Sequence, residues 1–535
     1  MNAIHTLDCT LRDGGYCNKW NFGLDNIKKI TSGLVDANID IIECGFLTDK
    51  EKYDPNVTKF NKLEQLLDVI PEIREGKLFV AMMNYGEYKI DDLPDYDAQS
   101  IDGIRVAFHK KDLLEALELC KQIKAKGYKV FVQAMVSLCY SDEEFLSMIQ
   151  EVNEFEPYAF YIVDSFGMMK NKDLIRLFYV VEHNLKENIW IGFHSHNNMQ
   201  LAYSNAQILV GVQTNRDIIV DSSIYGMGRG AGNLNTELFI EYLNENYNKN
   251  YQLTPLLIII DEIINGFYQR NYWGYSLPNY ISAAHNSHPN YATYLDDRKT
   301  LTIESINEIF EMMDEDKRYS FDKDYIEDLY LRYMTKDKVQ DEHKDELIKL
   351  LKGKTVVLVA PGKSSVTQKE IIKEISAIEN TMVFSVNHEY THVNVDYIFF
   401  SNLRRFKKLE MNSRRKCIVT SNILADGVYL QTKYQELVNT VEAVRDNAGL
   451  MAIKFLMNYG VKEILLAGFD GYSHDTIENY ADIQMEFITR NAVLDAMNDG
   501  MSYVLNEYSS YINISFITTP KHITIKNNFK LRNIT

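Results

Sequence analysis

Roughly the first 250 residues repeat one unit, a short β-branched or aromatic run followed by a longer segment of helical periodicity. The runs are Ile4–Thr10, Ile39–Cys44, Leu78–Met83, Gly103–Phe108, Lys129–Met135, Phe160–Val163, Ile189–His194 and Asp217–Ser222, and the stretches Asp112–Lys126 and Leu201–Val212 show the helical half. Eight βα units in about 240 residues is the arithmetic of a TIM (β/α)8 barrel. An open doubly wound sheet gives similar local signals, but eight units are the number that closes.

After the eighth unit comes an irregular aromatic segment, Tyr268–Tyr294, then charged helical sequence up to about Lys352. The stretch Lys336–Lys349 (KDKVQDEHKDELIK) reads as a solvated connecting helix. The pattern restarts after Gly353 with Thr355–Ala360, a Pro361-Gly362 turn and a helix opening near Val366. Further strand-like runs are Met382–Val386, Tyr397–Phe400, Lys416–Thr420, Glu463–Ala467 and Ser515–Thr518, with a helix near Thr440–Asn458. The expected organisation is a barrel with its aromatic extension over residues 1–300, a helical connector over 301–352, and a second, smaller α/β domain over 353–535.

A chain of 535 residues, 46% hydrophobic and 25% charged, has ample material for large cores and no compositional case for disorder. Its net charge of −18 argues against nucleic acid or anionic membrane as a partner, since either needs a basic face. The start, MNAIHTLDCTLRDGG, lacks the basic and apolar regions of a secretory peptide. The longest apolar stretch, Leu253–Ile264, is broken by Pro255, Asp261 and Glu262, so no membrane insertion is expected. The six cysteines show no CxxC spacing and are read as free thiols of a cytoplasmic protein.

Chemistry in a barrel sits at the C-terminal ends of the strands. Three features fall there: Arg12-Asp13 after the first strand, His194 and His196 at the end of the seventh, and GMGRGAGN (Gly226–Asn233) after the eighth. These strands are neighbours once the barrel closes. Alternation along extended chain points His194 and His196 to the same side, where they can share one ion. Asp13 can add a carboxylate and Asn233 an amide oxygen. Such a donor set suits a divalent ion, Mn²⁺ or Mg²⁺ before Zn²⁺ or Fe²⁺. The competing reading of an isolated HxH is a pair of structural histidines.

TLRDGG (Thr10–Gly15), GFHSHNN (Gly192–Asn198) and DSSIYGMGRGAGN (Asp221–Asn233) together resemble the motifs of the DRE-TIM metallolyases. That group contains hydroxymethylglutaryl-CoA lyase, 4-hydroxy-2-oxovalerate aldolase, isopropylmalate synthase and homocitrate synthase. The resemblance covers about residues 1–270 and is strongest to the 4-hydroxy-2-oxovalerate aldolase branch. It implies Asp13, His194 and His196 as metal ligands, Asn233 as a further ligand, and Arg12 as the residue that steadies an enolate.

The residue types agree with that chemistry. Making or breaking a carbon–carbon bond beside a carbonyl passes through an enolate whose oxygen needs positive charge, which a Lewis-acid metal and the Arg12 guanidinium supply. A structural ion pair of Arg12 with Asp13 or Glu43 is the competing reading. Glu43, ending IIECGF, orients Arg12, relays a proton or serves as a structural carboxylate. Arg105, Asp164 and Ser165 face the mouth as pocket residues, and Gly228 and Gly230 allow close approach of backbone to substrate. The chain departs from the aldolase pattern at Tyr16, which stands by spacing where that branch carries its base histidine. An ordinary tyrosine is a poor base at neutral pH. His285 and His288, in AHNSHPNY, are candidate replacements, and packing or capping histidines are the bland alternative.

In the second domain, TVVLVAPGKSS (Thr355–Ser365) is a strand, turn and helix start that lacks the glycine spacing of a Walker A loop. With FFSNLRRF and ILLAGFDGY it weakly resembles Rossmann-like domains of bacterial surface-glycan enzymes. That resemblance implies Gly362, Lys363 and Ser364 near a nucleotide or sugar phosphate, with Asn402, Arg404 and Asp470 beside it.

The leading expectation is a divalent-metal-dependent aldolase acting through the enolate of a pyruvate-like 2-oxo acid, with an aldehyde or sugar as co-substrate, in a homo-oligomer, a dimer. The alternatives are an acyl-CoA Claisen synthase or lyase of the same family, a non-haem iron oxygenase, and a non-catalytic scaffold.

Overall fold

A computed structural model of the protein describes residues 3–298, 300–335, 342–487, 489 and 491–523. Of the charged stretch Lys336–Lys349, residues 336–341 lie outside the described residues. Two compact units divide the chain: Met1–Pro289 with Glu315–Phe321, and Asn290–Asp314 with Asp322–Thr535.

The first unit is a closed barrel of eight parallel strands, Ile4–Asp8, Ile41–Leu47, Leu78–Asn84, Gly103–Phe108, Lys129–Ala134, Ala159–Asp164, Trp190–Ser195 and Ile218–Ser222. Closure is made by the first strand, which aligns Leu7 with Ile41 on one side and Ile4 with Ile218 on the other. A two-residue strand, Lys59–Phe60, extends the sheet beside the second. The strands are buried on both faces, as a parallel sheet wrapped by helices requires. Their outward residues pack against the helices, and a separate inner cluster of Leu7, Ile41, Val80, Phe131, Tyr161 and Ile219 fills the barrel.

This inner layer sets the level of the site. Two positions further along the same strands, on the same face, Ile41 gives way to Glu43, Gly103 to Arg105, Gly192 to His194 and Ile219 to Asp221. Gly192 is needed below His194, because a Cβ there would lie 2.2 Å from the Tyr161 ring. An apolar plug is therefore overlaid by a charged layer at the C-terminal mouth.

Helix Leu277–Ala284, the turn after it, and Glu315–Phe321 complete this unit. Ala283 and Tyr319 join Val136, Phe166 and Met168, which lie on the loops after the fifth and sixth strands.

The second unit holds a seven-stranded, all-parallel sheet. Its order across the sheet is Leu430–Thr432, Cys417–Thr420, Tyr397–Phe400, Thr381–Val386, Thr355–Val359, Glu463–Ala467 and Asn513–Phe516. The winding reverses between Thr355–Val359 and Glu463–Ala467, the switch point of an open α/β sheet. The edge strand Leu430–Thr432 has no counterpart among the sequence-derived runs, being three residues long with two of them polar. Helices Ile303–Glu311 and Lys323–Met334 belong to this unit. Among the described residues no helix is long and apolar enough to cross a membrane, and all six cysteines are unpaired.

Candidate active site

The segment after the first strand turns at once into the short helix Thr10–Asp13, all of it buried. Thr10 N–H donates to Asp8 Oδ1 at 2.9 Å and Thr10 Oγ1 accepts from Ile224 N–H at 2.8 Å, tying this turn to the loop after the eighth strand. Trp20 Nε1 donates to the Arg12 carbonyl at 2.7 Å. A Cβ on Gly14 would sit 2.4 Å from the Thr10 carbonyl and one on Gly15 would enter the Trp20 ring, so the two glycines after Asp13 let the turn fold tightly.

Asp13, His194 and His196 are all buried, and one ligand atom from each lies within 4.8 Å of the others. An isolated bridge between His196 and Asn233 brings the glycine-rich loop alongside. Asn233 Nδ2 donates to Asp13 Oδ2 at 2.6 Å, which leaves its Oδ1 buried with no hydrogen-bond partner. A buried amide oxygen without a donor is costly, and beside two imidazoles and a carboxylate it fits a cation. His194 Nδ1 lies 3.0 Å from Asp221 Oδ2. Because a carboxylate only accepts, Nδ1 carries the proton and Nε2 keeps its lone pair for a metal.

Around these ligands runs a buried chain of charge. Arg12 bonds Asp13 Oδ1 at 2.7 Å and Glu43 Oε2 at 2.8 Å; Arg105 lies 2.8 Å from Glu43 Oε1 and also bonds Asp221. Three carboxylates against two guanidiniums, −3 + 2, leave −1 in a layer closed to water, and a divalent ion changes that to +1. Burial by itself would raise Asp13 and Asp221, but Arg12 with the two histidines and Arg105 with His194 hold them below the ordinary carboxylate range. Burial also pushes His196 down against the pull of Asp13, so its imidazole is neutral, as a ligand must be. Arg12 is 5% exposed, and its Nη2 is buried without a partner.

Both ion pairs foreseen as the competing reading of Arg12 are present, and the free Nη2 remains besides. Glu43 bridges the two guanidiniums. Arg105 is fully buried and takes its place in the wall beneath the ligands, with no open face. Asp164 accepts from Met168 N–H and Met169 N–H at 2.9 and 3.1 Å, and burial outweighs these bonds to push its pKa up to about 7. Ser165 Oγ accepts from Val136 N–H. The room left by Gly228 and Gly230 is filled by the protein itself: a Cβ would lie 2.4 Å from Asn233 Nδ2 in one case and 2.7 Å from Asn198 Oδ1 in the other.

Tyr16 is 42% exposed at the rim, edge-on to Trp20. His288 packs against Phe166 and Phe321, 5.4 and 6.0 Å between ring centroids, over the loop after the sixth strand. Burial, with Arg229, His109 and His196 adding to it, pushes His288 well below its ordinary value. The His285 carbonyl accepts from Arg318 at the end of its helix. Sequence reasoning missed two residues that lay inside a quoted motif, Asp221 and Arg229. Asp221 sits two positions past Ile219 on an inward face, and that spacing was the available signal.

In the second unit, Ser364 N–H and Oγ both donate to Asp470, and Lys363 pairs with Glu478 at 2.7 Å. A Cβ on Gly362 would meet the Gly468 carbonyl at 2.2 Å. The groups expected to meet a phosphate are thus engaged by the protein's own carboxylates at a helix of only four residues, Ser364–Thr367. Asn402 caps the helix Leu403–Phe406 through Arg405 N–H, and Arg404 on that helix is exposed.

Residues 107–261 match the HMGL-like family model. That match takes in the barrel from the end of its fourth strand through its eighth. The 4-hydroxy-2-oxovalerate aldolase of Pseudoalteromonas translucida is 25% identical over 260 residues, 48% of this chain and 74% of that protein. The enzyme of the same name from Geobacillus genomosp. 3 is 27% identical over 246 residues, 45% of this chain and 71% of that one. A solved structure, the N-terminal domain of a putative aldolase from Bacteroides vulgatus, is 28% identical with a TM-score of 0.47, covering 56% of this chain and 98% of that one. Both relatives are named as aldolases.

Proposed function

We propose that the HMGL-like barrel is a divalent-metal-dependent aldolase acting on a 2-oxo acid of the pyruvate kind. The observation that carries this is the buried set Asp13, His194 and His196, with the unpartnered Asn233 Oδ1 beside it and the unpartnered Nη2 of Arg12 in the same charged layer. Asp13, His194, His196 and Asn233 would hold the divalent ion, which would supply Lewis acidity toward the bound 2-oxo acid.

The protein's own groups supply the rest. In the cleavage direction the C3–C4 bond of a 4-hydroxy-2-oxo acid breaks, its electron pair goes into the enolate, C4 becomes an aldehyde carbonyl, and the C4 hydroxyl proton passes to a base. Arg12 Nη2 is a fixed donor for the oxygen on which charge develops, held in place by Asp13 and Glu43 so that little reorganisation is needed. The buried layer excludes water, which strengthens that interaction. Asp164 and Ser165 shape the wall after the sixth strand, with Gly228 and Gly230 opposite. Tyr16 and His288 are the two candidates for the group that takes the hydroxyl proton, and the depressed basicity of the buried His288 favours Tyr16. Tyr16→Phe and His288→Gln separate them, since the variant of the true base loses aldol cleavage while keeping exchange of the oxo acid's methyl protons.

The direct test incubates the full chain with Mn²⁺ and pyruvate in deuterated water and follows methyl exchange by NMR, then adds an aldehyde and follows its consumption. Exchange in the wild type, abolished in Asp13→Ala and His194→Ala, is the expected outcome. Undiminished activity in both variants removes the site assignment.

A further inference from the structure

Arg12 and Arg105, the guanidiniums of the buried layer, are both paired with carboxylates. A third, Arg229, is not. It projects from the glycine-rich loop, immediately after Gly228, whose backbone packs against Asn233 and Asp13. Its Nη2 donates to the Ser165 carbonyl at 3.1 Å, its guanidinium carbon lies 5.4 Å from the centre of the Tyr16 ring, and its Nε is buried without a partner. No carboxylate pairs with it among the described residues. It therefore bridges the loops after the first and sixth strands beside the metal-ligand set, in the neighbourhood of His196 and His288.

We propose that Arg229 receives an anionic group, a carboxylate or a phosphate, on the aldehyde half of the aldol substrate. This rests on the aldolase reading above. Three arguments support it. A guanidinium is a rigid fork of donors matched to two oxygens of an anion, and one that keeps a buried Nε unsatisfied lacks the partner it is shaped for. The loop holds it still: Ala231 N–H donates to Asn198 Oδ1 at 2.8 Å on one side, and Gly228 abuts Asn233 on the other. Charge also requires it. The buried layer counts −1; a divalent ion makes +1 and Arg229 makes +2. A pyruvate-like carboxylate reduces this to +1, which a second carboxylate or a phosphate monoanion neutralises and a phosphate dianion takes to −1. Asp164 does not supply it, since its carboxylate is turned to the amides of Met168 and Met169.

The test uses the full chain with Mn²⁺, pyruvate and three aldehydes: butanal, succinic semialdehyde and glycolaldehyde phosphate. Wild type is expected to use one of the two anionic aldehydes with a kcat/KM at least about tenfold above butanal, and which of the two wins assigns carboxylate or phosphate. Arg229→Ala collapses that ratio toward one, and Arg229→Lys retains part of it. Binding without turnover is read by calorimetric titration with succinate and with inorganic phosphate, where Arg229→Ala weakens the preferred anion about tenfold or more. Preference for butanal in the wild type, or an unchanged ratio and unchanged anion binding in Arg229→Ala, overturns the proposal. Methyl exchange of pyruvate by the wild type involves no aldehyde and reports on the aldolase reading alone. Exchange without anion selectivity removes only the role of Arg229. Anion binding lost in Arg229→Ala without any exchange keeps the anion site and removes the aldolase.

Discussion

Asp221 Oδ2 accepts from Nδ1 of His194 at 3.0 Å and from Arg105 as well, so one carboxylate on the eighth strand sets the tautomer of the proposed ligand on the seventh. Asp221→Asn puts an amide there whose N–H₂ can donate to Nδ1, favouring the tautomer protonated on Nε2 and removing the lone pair a metal needs. Mn²⁺ affinity, measured by calorimetry, is expected to fall roughly 10- to 100-fold. Affinity equal to wild type would show that Asp221 has no hold on His194.

Gly228 has no side chain because Asn233 and Asp13 occupy that space. The Cβ of Gly228→Ala would lie 2.4 Å from Asn233 Nδ2 and 3.1 Å from Asp13 Oδ2. One of these ligands must shift, and misplacement by about 1 Å costs on the order of 100-fold in rate. The expected result is lost activity and weakened metal binding with the far-ultraviolet circular dichroism of the wild type.

Among the described residues Glu43 alone bridges Arg12 and Arg105. Glu43→Gln keeps its shape but leaves two buried guanidiniums facing a neutral amide, a loss of about 3–5 kcal/mol. Thermal unfolding of the barrel should come roughly 10 °C earlier. A midpoint within a degree of wild type would mean that the pair is balanced by other groups.

Asp164 gives stability a pH dependence of known sign. Its pKa is raised from 3.8 to about 7, so between those values the folded chain holds a proton that the unfolded chain has released, and each rise in pH favours unfolding. The contribution is complete below 3.8 and gone above about 7, amounting to about 4 kcal/mol at most. Denaturation followed from pH 4 to 8 should show the wild type losing stability relative to Asp164→Asn, whose amide does not titrate. Parallel curves for the two proteins would contradict the assignment.

Local pattern carried much of this architecture. The eight β-branched runs match the eight barrel strands to within a few residues, because a buried parallel strand writes its own composition. The spacing of His194 and His196 placed both on one face, and Asp13 with Asn233 completed the set. In the second unit the edge strand Leu430–Thr432 was missed because it is only three residues long and two of them, Gln431 and Thr432, are polar, too short a run to show a strand period.

By itself, then, the sequence determined a closed barrel with a candidate ligand set at the ends of its first, seventh and eighth strands, because periodicity and short motifs are properties of neighbours in the chain. What only the tertiary structure decided was which charge meets which. Asn233 reaches Asp13 across 220 residues and Arg105 reaches Asp221 across 116. Those pairings exist because closure sets a common height for the strand ends. They show Arg105 to be a buried wall, leave Arg229 without a carboxylate, and turn Asp470 onto Ser364 where a phosphate had been expected.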